Sequence, residues 1–346
     1  MDLNEVKTRL QQHLSDGLVM VVGSGLSCAE GLPGMGELAE HLRATVGLGL
    51  VGADVDAWAE IAPLIQSKGL EAALLEKAPS AVLEAAIATA TAGLIAERER
   101  LVITEVFAGT RNLRLTKLFA HLLKPSTGLP VITTNYDRLV EIAAEEAGLG
   151  VDSMFIGRFA GTLNERESRL SFCRNVSIKK GRVAYHYQPR ALVCKPHGSL
   201  DWYLRDGKPV CYAGDLPDSS RLIITPGQNK FRNGYESPFD HHRSRANEAI
   251  DRASRFLILG YGFNDDHLET HLSPAIRGGK PTLLMTYSLS ATAEALATSH
   301  ANVIALDHVN QDGTDGTRVI IDKTHCIFPG LELWDVHSFI SEVLEP

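Results

Sequence analysis

The sequence has few cysteines, no long apolar segment and a deficit of basic residues. Its five cysteines are scattered without a Cys-x-x-Cys pair, which argues against a disulfide framework and a four-cysteine zinc site. They are Cys28, Cys173, Cys194, Cys211 and Cys326. No apolar run is long enough to span a bilayer, and the amino terminus lacks the apolar core of a signal peptide. The net charge of −8 argues against a broad nucleic-acid or acidic-membrane surface. We therefore expect a cytoplasmic protein without a direct membrane or nucleic-acid partner.

The length of 346 residues suits two average domains or one α/β domain with insertions. We expect a single domain over residues 1–346. A helical insert or subdomain is predicted at 53–125, because this stretch is rich in Ala, Leu and Glu and is broken at 78–80. A second, irregular insert of mixed short pieces is predicted at 151–190.

From residue 221 onward, short apolar runs alternate with helix-forming segments. The runs RLIIT, RFLILGYG, PTLLMTY and NVIAL are typical of strands, and TRVIID followed by a helix over ELWDVHSFISEVL closes the chain. Earlier runs ending at VMVV, LPVIT and ALVC predict further buried strands. The alternation predicts an α/β fold, a Rossmann-like parallel sheet covered by helices.

Four of the predicted strands end in glycine or polar residues. The segments are GSGLSCAEG (23–31), TTNYD (133–137), KPHGS (195–199) and GYGFNDD (260–266). Ligands of parallel sheets bind outside the carboxyl ends of the strands. We therefore expect all four segments to meet at one edge of the sheet.

The first segment joins a strand to a glycine loop, with a helix predicted over 35–42. Its glycines allow a backbone phosphate cradle, although they are equally typical of a tight turn. Cys28 stands where the dinucleotide fingerprint of hydride-transfer enzymes needs a glycine, and no Gly-Lys-Ser/Thr closes the loop. An ordinary dehydrogenase and a P-loop NTPase are both disfavoured.

Asn135 and His197 are the candidate catalytic residues. The Asn135 amide suits a ribose hydroxyl or a positioned water, or alternatively caps a helix beginning at Arg138, where Asp137 has a similar role. His197 suits a general base, or alternatively a half-buried structural histidine.

A metal site was weighed on the helix that follows residue 265. His267 and His271 lie one turn apart with Glu269 between them, but Leu268 stands where metalloproteases place their glutamate. The pair is therefore interpreted as a polar helix face. The DHHR segment at 240–243 is likewise predicted to be a solvated helix start.

The four segments, in this order, resemble the sirtuin-fold family, and particularly its bacterial sirtuin-like branch of NAD-hydrolysing anti-phage defence proteins. The resemblance covers the Rossmann-like core but not the helical insert. It implies NAD⁺ as the ligand, with Asn135 holding the nicotinamide ribose or the attacking water and His197 as the base. The cofactor-binding residues that it implies are Gly23, Ser24, Gly25, Ser27, Thr133, Asp137, Gly260, Tyr261, Gly262 and, by position, Tyr287.

The chain also departs from the sirtuin deacylases. It lacks the two zinc-binding cysteine pairs, and it has Pro-Gly-Met-Gly at 33–36 where they carry Pro-Asp-Phe-Arg. The preferred prediction is an NAD⁺ glycohydrolase that needs no metal. The alternatives are an NAD-dependent deacylase or ADP-ribosyltransferase, and a non-catalytic NAD or nucleotide sensor.

The resemblance further implies a biological setting. It implies a homo-oligomer that depletes NAD⁺ in anti-phage defence, with a DNA-translocating ATPase or a phage-derived trigger as a partner. The helical insert is the predicted place for assembly contacts.

Overall fold

The computed structural model describes residues 1–179, 181–216, 219–225 and 236–345. Within these ranges the helices are α1 Leu3–His13, α2 Ser24–Ala29, α3 Met35–Thr45, α4 Ala53–Lys68, α5 Leu70–Glu76, α6 Ala81–Phe107, α7 Arg114–His121, α8 Leu139–Glu146, α9 Glu165–Ser171, α10 Phe239–Arg252, α11 Asp266–Arg277, α12 Ala291–Ser299 and α13 Val336–Phe339. The strands are β1 Leu18–Val22, β2 Leu129–Thr133, β3 Gly150–Asp152, β4 Phe155–Ile156, β5 Gly161–Leu163, β6 Cys173–Lys179, β7 Arg182–Tyr187, β8 Arg190–Cys194, β9 Gly198–Arg205, β10 Lys208–Cys211, β11 Arg221–Ile223, β12 Arg255–Leu259, β13 Thr282–Met285, β14 Val303–Gln311, β15 Thr314–Ile321 and β16 Thr324–Pro329.

A nine-stranded sheet runs through the centre of the protein in the order β16-β15-β14-β13-β12-β1-β2-β8-β3. The seven strands from β14 to β3 are parallel, and the other two are antiparallel. The predicted α/β fold with a largely parallel, helix-covered sheet is therefore confirmed. The antiparallel β15 and β16 are a difference, because a tight turn returns β14 directly into β15 without a crossover helix.

Both faces of this sheet are covered by helices, which explains why its inner strands read as continuous apolar runs. All five residues of β1 are buried. On one face the sheet packs against α1, α7, α8 and α13, and on the other against α10, α11 and α12. Side chains alternate along each strand, so β1 contributes Met20 to the first core and Val21 to the second. Within the described ranges no helix has the length and apolarity needed to cross a membrane.

The segment predicted as a helical insert forms α4 to α7, with residues 77–80 outside helices as expected. Its side chains have a core of their own, in which Trp58, Ile61 and Leu74 pack with Leu42 of α3. The second half of α6 leaves this core and packs on the main sheet through Val102. The division of the chain into one domain with two inserts stays a prediction.

A second sheet, which the sequence did not predict, lies beside the first. It is antiparallel with the order β11-β9-β10-β5-β4. The RLIIT run therefore pairs in this sheet as β11 and not in the parallel one. The KPHGS segment runs directly into the strand β9 of this sheet. The 151–190 segment also has more regular structure than expected, since it contains most of β3, all of β4 to β7 and α9, although its Lys180 lies outside the described residues.

Two predicted elements at the ends of the chain differ in extent. The predicted glycine loop after β1 is largely the short helix α2. The predicted carboxyl-terminal helix begins only at Val336, because the Asp335 carboxylate accepts hydrogen bonds from the N–H groups of His337 and Ser338 and so begins the helix there. A π-type turn over Ile340–Leu344 continues it.

Candidate active site

The four polar segments lie at one edge of the central sheet, as predicted. They follow β12, β1, β2 and β8, which are consecutive and parallel. The register places Val22 of β1 beside Leu259 of β12 and Thr133 of β2. The residues that follow these strand ends are therefore brought together by backbone pairing alone.

Three glycines allow the loops after β1 and β12 to interlock. A Cβ atom on Gly23 would lie 2.4 Å from the carbonyl oxygen of Gly260, and one on Gly260 would lie 2.3 Å from the backbone nitrogen of Leu26. Gly260 also has a φ of +59°, which favours glycine. The N–H of Gly25 donates to the carbonyl of Gly260 at 2.9 Å. This N–H is therefore used within the protein, which limits the predicted phosphate cradle to the exposed surface around Ser24.

Asn135 is held by a chain of buried hydrogen bonds. Its Nδ2 donates to the carbonyl of Gly23 at 3.0 Å and to Oγ of Ser27 at 2.8 Å, and Ser27 Oγ in turn donates to Asp137 at 2.7 Å. Thr133 Oγ1 accepts from the backbone N–H of Asn135. The donors of the amide are thus occupied by the protein. The carbonyl Oδ1 is the part of Asn135 that can accept from a ligand or water.

Asp137 and Thr133 have structural roles in this network. The Asp137 carboxylate also accepts from the N–H of Leu139 at 3.1 Å, at the start of α8. The contact spans two residues and precedes α8, whose N-cap residue is Arg138. Both side chains are buried, Thr133 completely, and they hold Asn135 and Ser27 in place through these hydrogen bonds.

His197 lies against a carboxylate that the sequence analysis did not single out. Its Nε2 is 2.6 Å from Oδ2 of Asp265, in ion-pair contact without the alignment of a linear hydrogen bond. Asp265 begins α11, where its other oxygen accepts from the N–H of Leu268. A carboxylate beside Nε2 can only accept a hydrogen bond, so it favours the tautomer with hydrogen on Nε2. Nδ1, which makes no hydrogen bond to the residues described, is then the basic nitrogen.

The turn that carries His197 is built around Gly198, whose φ is +93°. A Cβ there would lie 2.1 Å from the carbonyl oxygen of Leu222. The His197 carbonyl accepts from the N–H of Ile224, and the N–H of Leu200 donates to the carbonyl of Tyr136. The second contact links this turn directly to the loop of Asn135.

A buried ion pair lies beneath the two loops. Lys195 is 1% exposed, and its Nζ donates to Oε1 of Glu141 at 3.0 Å and to the carbonyl of Asp137. Burial alone would lower the pKa of Lys195, but the surrounding carboxylates, with Glu141 first, outweigh burial and raise it. Burial raises the pKa of Glu141. The pair fixes the backbone just before His197.

His242 of α10 supports the same segment, which corrects the prediction of a solvated helix start at 240–243. Its side chain is fully buried, 4.4 Å from the ring of Trp202, and its Nδ1 accepts from the backbone N–H of Lys195. Burial lowers the pKa of His242 well below its usual value. The imidazole is therefore neutral, with its hydrogen on Nε2.

The predicted adenosine-side residues have different surroundings. Tyr261 turns its ring into the core against Phe263 and donates to Glu269 at 3.1 Å, while its backbone lies against Gly23. Tyr287 is 62% exposed and stacks on His308 with ring centres 4.7 Å apart. Of these residues, Tyr287 has the side chain that a planar ligand can reach.

Two functional candidates were missed in the sequence. Asp265 lies in the quoted GYGFNDD segment and Lys195 in KPHGS, but no pattern distinguished them from the polar residues beside them. Their partners, His197 and Glu141, are far away in sequence. Their position in polar segments at neighbouring strand ends is the signal that could have found them.

The histidines weighed as metal ligands have other partners. His271 Nδ1 is 2.9 Å from Asp251, and Glu269 bonds to Tyr261 and Ser273. Among the residues placed by the structure, no group of three His, Cys, Asp or Glu side chains has metal-ligand geometry.

A protein-family model for the SIR2-like domain matches residues 130–304, which is about half of the chain and includes the segments of Asn135, His197 and Gly260. The chain belongs to the SIR2-like domain family. No curated protein matches it.

Several solved Sir2 structures are similar to this SIR2-like domain. One, described as the structural basis for the mechanism and regulation of Sir2 enzymes, has 13% identity and a TM-score of 0.41, over 84% of this chain and 89% of that one. A Sir2 homologue–NAD complex has 15% identity and a TM-score of 0.38, over 83% and 84%. A Sir2 protein bound to acetylated peptide has 16% identity and a TM-score of 0.38, over 84% and 89%.

Proposed function

We propose that this SIR2-like domain is an NAD⁺ glycohydrolase that cleaves the nicotinamide–ribose bond and releases nicotinamide and ADP-ribose. Family membership supports NAD⁺ as the ligand. The observation that carries the hydrolase is the contact of His197 with Asp265 beside the loop of Asn135. In this proposal His197 is the base and Asn135 is an oriented hydrogen-bond acceptor at the same edge of the sheet.

The residues at the edge fit a dinucleotide. Ser24, exposed in the first turn of α2, offers its hydroxyl group to a diphosphate. Asn135 Oδ1 accepts from a ribose hydroxyl or from water, and its fixed Nδ2 bonds hold it in that orientation. Tyr287 lies two residues after the end of β13 and offers an exposed ring for the adenine.

The chemistry follows from the leaving group. Nicotinamide departs as a neutral molecule from a pyridinium, so its departure needs no general acid. The nucleophile that attacks the positively charged ribose must lose a proton, so a general base is needed. Nδ1 of His197 takes a proton from the ribose hydroxyl or from the attacking water, and Asp265 stabilises the imidazolium that results. General-base catalysis of this kind contributes about 100- to 10,000-fold. Asn135 orients the nucleophile.

The decisive experiment is product analysis after the protein is incubated with NAD⁺. We expect nicotinamide and ADP-ribose in equal amounts from the wild type, and rates at least about 100-fold lower for His197→Ala and Asn135→Ala. His325→Ala, at an exposed position of the edge strand β16, is the matched control and should retain full activity. Unchanged rates in the His197 and Asn135 variants would refute the assignment of the site.

The same incubation with an acylated peptide or an acceptor protein tests the alternatives. Consumption of acyl peptide in equal amount with nicotinamide release would make the protein a deacylase. ADP-ribose attached to protein would make it a transferase. Saturable NAD⁺ binding without turnover, lost in His197→Ala, would favour the sensor.

We also propose the biological setting that the resemblance implies. The protein would act as a homo-oligomeric effector of anti-phage defence that depletes NAD⁺, held inactive until a phage-derived trigger or an ATPase partner releases it. Light scattering of the purified chain measures the oligomer. NAD⁺ levels in infected cells that carry wild type or His197→Ala test the role, since equal depletion in both would contradict it.

A further inference from the structure

A cavity of about 650 Å³ lies at the opposite edge of the central sheet from the candidate active site. It opens at the amino ends of β1, β2 and β8, and its floor includes Val19, Leu192 and Cys194. One wall is α10, which contributes Arg245, Glu248, Ala249 and Arg252 from a single helix face. Its size is that of sites for small ligands.

Arginines are concentrated at this cavity, although the chain as a whole is acidic. The charged lining residues are Arg169, Arg190, Arg245, Arg252, Asp16, Glu165 and Glu248. Arg245 pairs with Glu165, and Arg252 pairs with Glu248 at 2.8 Å.

The other two cationic side chains differ in their surroundings. Arg190 is buried, and its Nε is 3.7 Å from Oδ2 of Asp152. Burial, together with the positive charges of Arg245 and Arg169, lowers the pKa of Arg190 against the opposing effect of Asp152. Arg169 is exposed at the rim of the cavity and has no carboxylate within ion-pair distance among the described residues. The guanidinium of Arg169 is therefore available to an anion.

Two tyrosines stand beside these arginines. Tyr185 and Tyr187 lie on one face of β7 with ring centres 6.3 Å apart, and both line the cavity. The Arg190 guanidinium lies 4.6 Å from the centre of the Tyr187 ring and covers it. Tyr185 is 51% exposed, so its ring is available for stacking.

We propose that this cavity binds a small anion that carries a planar ring, of the nucleoside monophosphate class. The base would stack on Tyr185 inside the cavity. The phosphate would be bound by Arg169 at the rim. The site is separate from the NAD⁺ edge and does not depend on hydrolysis of NAD⁺.

Calorimetric titration of the full chain with AMP, GMP, CMP and UMP tests the proposal. We expect at least one of them to bind one per chain, with affinity reduced about tenfold or more by Arg169→Ala and about fivefold or more by Tyr185→Ala. Removal of the phosphate, with the matching nucleoside as the probe, should weaken binding to the same degree as Arg169→Ala. Both residues are exposed, so the variants should fold.

Two controls locate the binding. Arg166→Ala removes an exposed arginine of the same helix that does not line the cavity, and it should leave the affinity unchanged. Asn135→Ala, at the NAD⁺ edge, should also leave it unchanged. The proposal is overturned if none of the four nucleotides binds at up to about 1 mM, or if binding is unaffected by Arg169→Ala and Tyr185→Ala.

Discussion

The interlock between the loops after β1 and β12 predicts that Gly260 cannot carry a side chain. In Gly260→Ala the new Cβ would lie 2.3 Å from the backbone nitrogen of Leu26 in α2, and both loops directly follow β1 and β12, which pair with each other. The loops must separate to relieve this overlap. The hydrogen bond from Gly25 to Gly260 is lost when they do.

Two contributions make up the expected loss of stability. A left-handed residue with a Cβ costs about 1–2 kcal/mol relative to glycine. Overpacking against fixed neighbours typically adds about 1–3 kcal/mol. The free energy of unfolding should therefore fall by about 2–5 kcal/mol.

Gly279 offers a control that separates the two contributions. Its φ is +99°, but a Cβ there would meet no atom within 4 Å. Gly279→Ala should therefore lose only the backbone part, about 1–2 kcal/mol. The urea denaturation midpoint should be highest for the wild type, lower for Gly279→Ala and lowest for Gly260→Ala. If the two variants unfold at the same midpoint, the interlock does not constrain the loops and the reasoning is wrong.

Three further predictions concern charged and titratable groups. Asp265→Asn should lower the rate of NAD⁺ cleavage at least about tenfold, because the imidazolium of His197 loses its counter-charge. Its thermal stability should stay near that of the wild type, because Asn is also a favourable N-cap residue. Lys195→Met should cost about 1–3 kcal/mol by leaving the partly buried Glu141 without its partner, and adding Glu141→Gln should restore part of the urea midpoint; no recovery would contradict the pair. Burial lowers the pKa of His13 to about 4, so the unfolded chain takes up the proton first as the pH falls below about 6.5. The free energy of unfolding should then fall by up to about 3 kcal/mol between pH 6.5 and 4, and the urea midpoint of His13→Gln should fall less over this range.

The edge that carries the candidate site could be predicted because each strand that forms it is short, apolar and buried on both faces. Such strands are visible without knowledge of their partners. Once they are parallel and adjacent, their carboxyl ends must meet. This is why Asn135 and His197 were correctly expected to lie at one edge although they are distant in sequence.

The partners of these residues could not be predicted, because they depend on where side chains turn in three dimensions. Asp265 resembles the polar residues on either side of it until α11 places it against His197. Tyr261 follows a glycine at the edge, yet its ring enters the core to reach Glu269. The second sheet was missed for a related reason, since β9 follows the KPHGS turn at once and its alternating pattern does not say which sheet it joins.

The middle position of β1 in the sheet has a consequence for how the chain is synthesised and divided. β1 precedes both of its partners, β2 and β12, and β12 ends only at Leu259. A nascent chain therefore carries an apolar strand with at least one unpaired edge until β12 has been translated. For the same reason, a fragment trimmed to the family-matched residues 130–304 would lack the strand that joins the two halves of its own sheet.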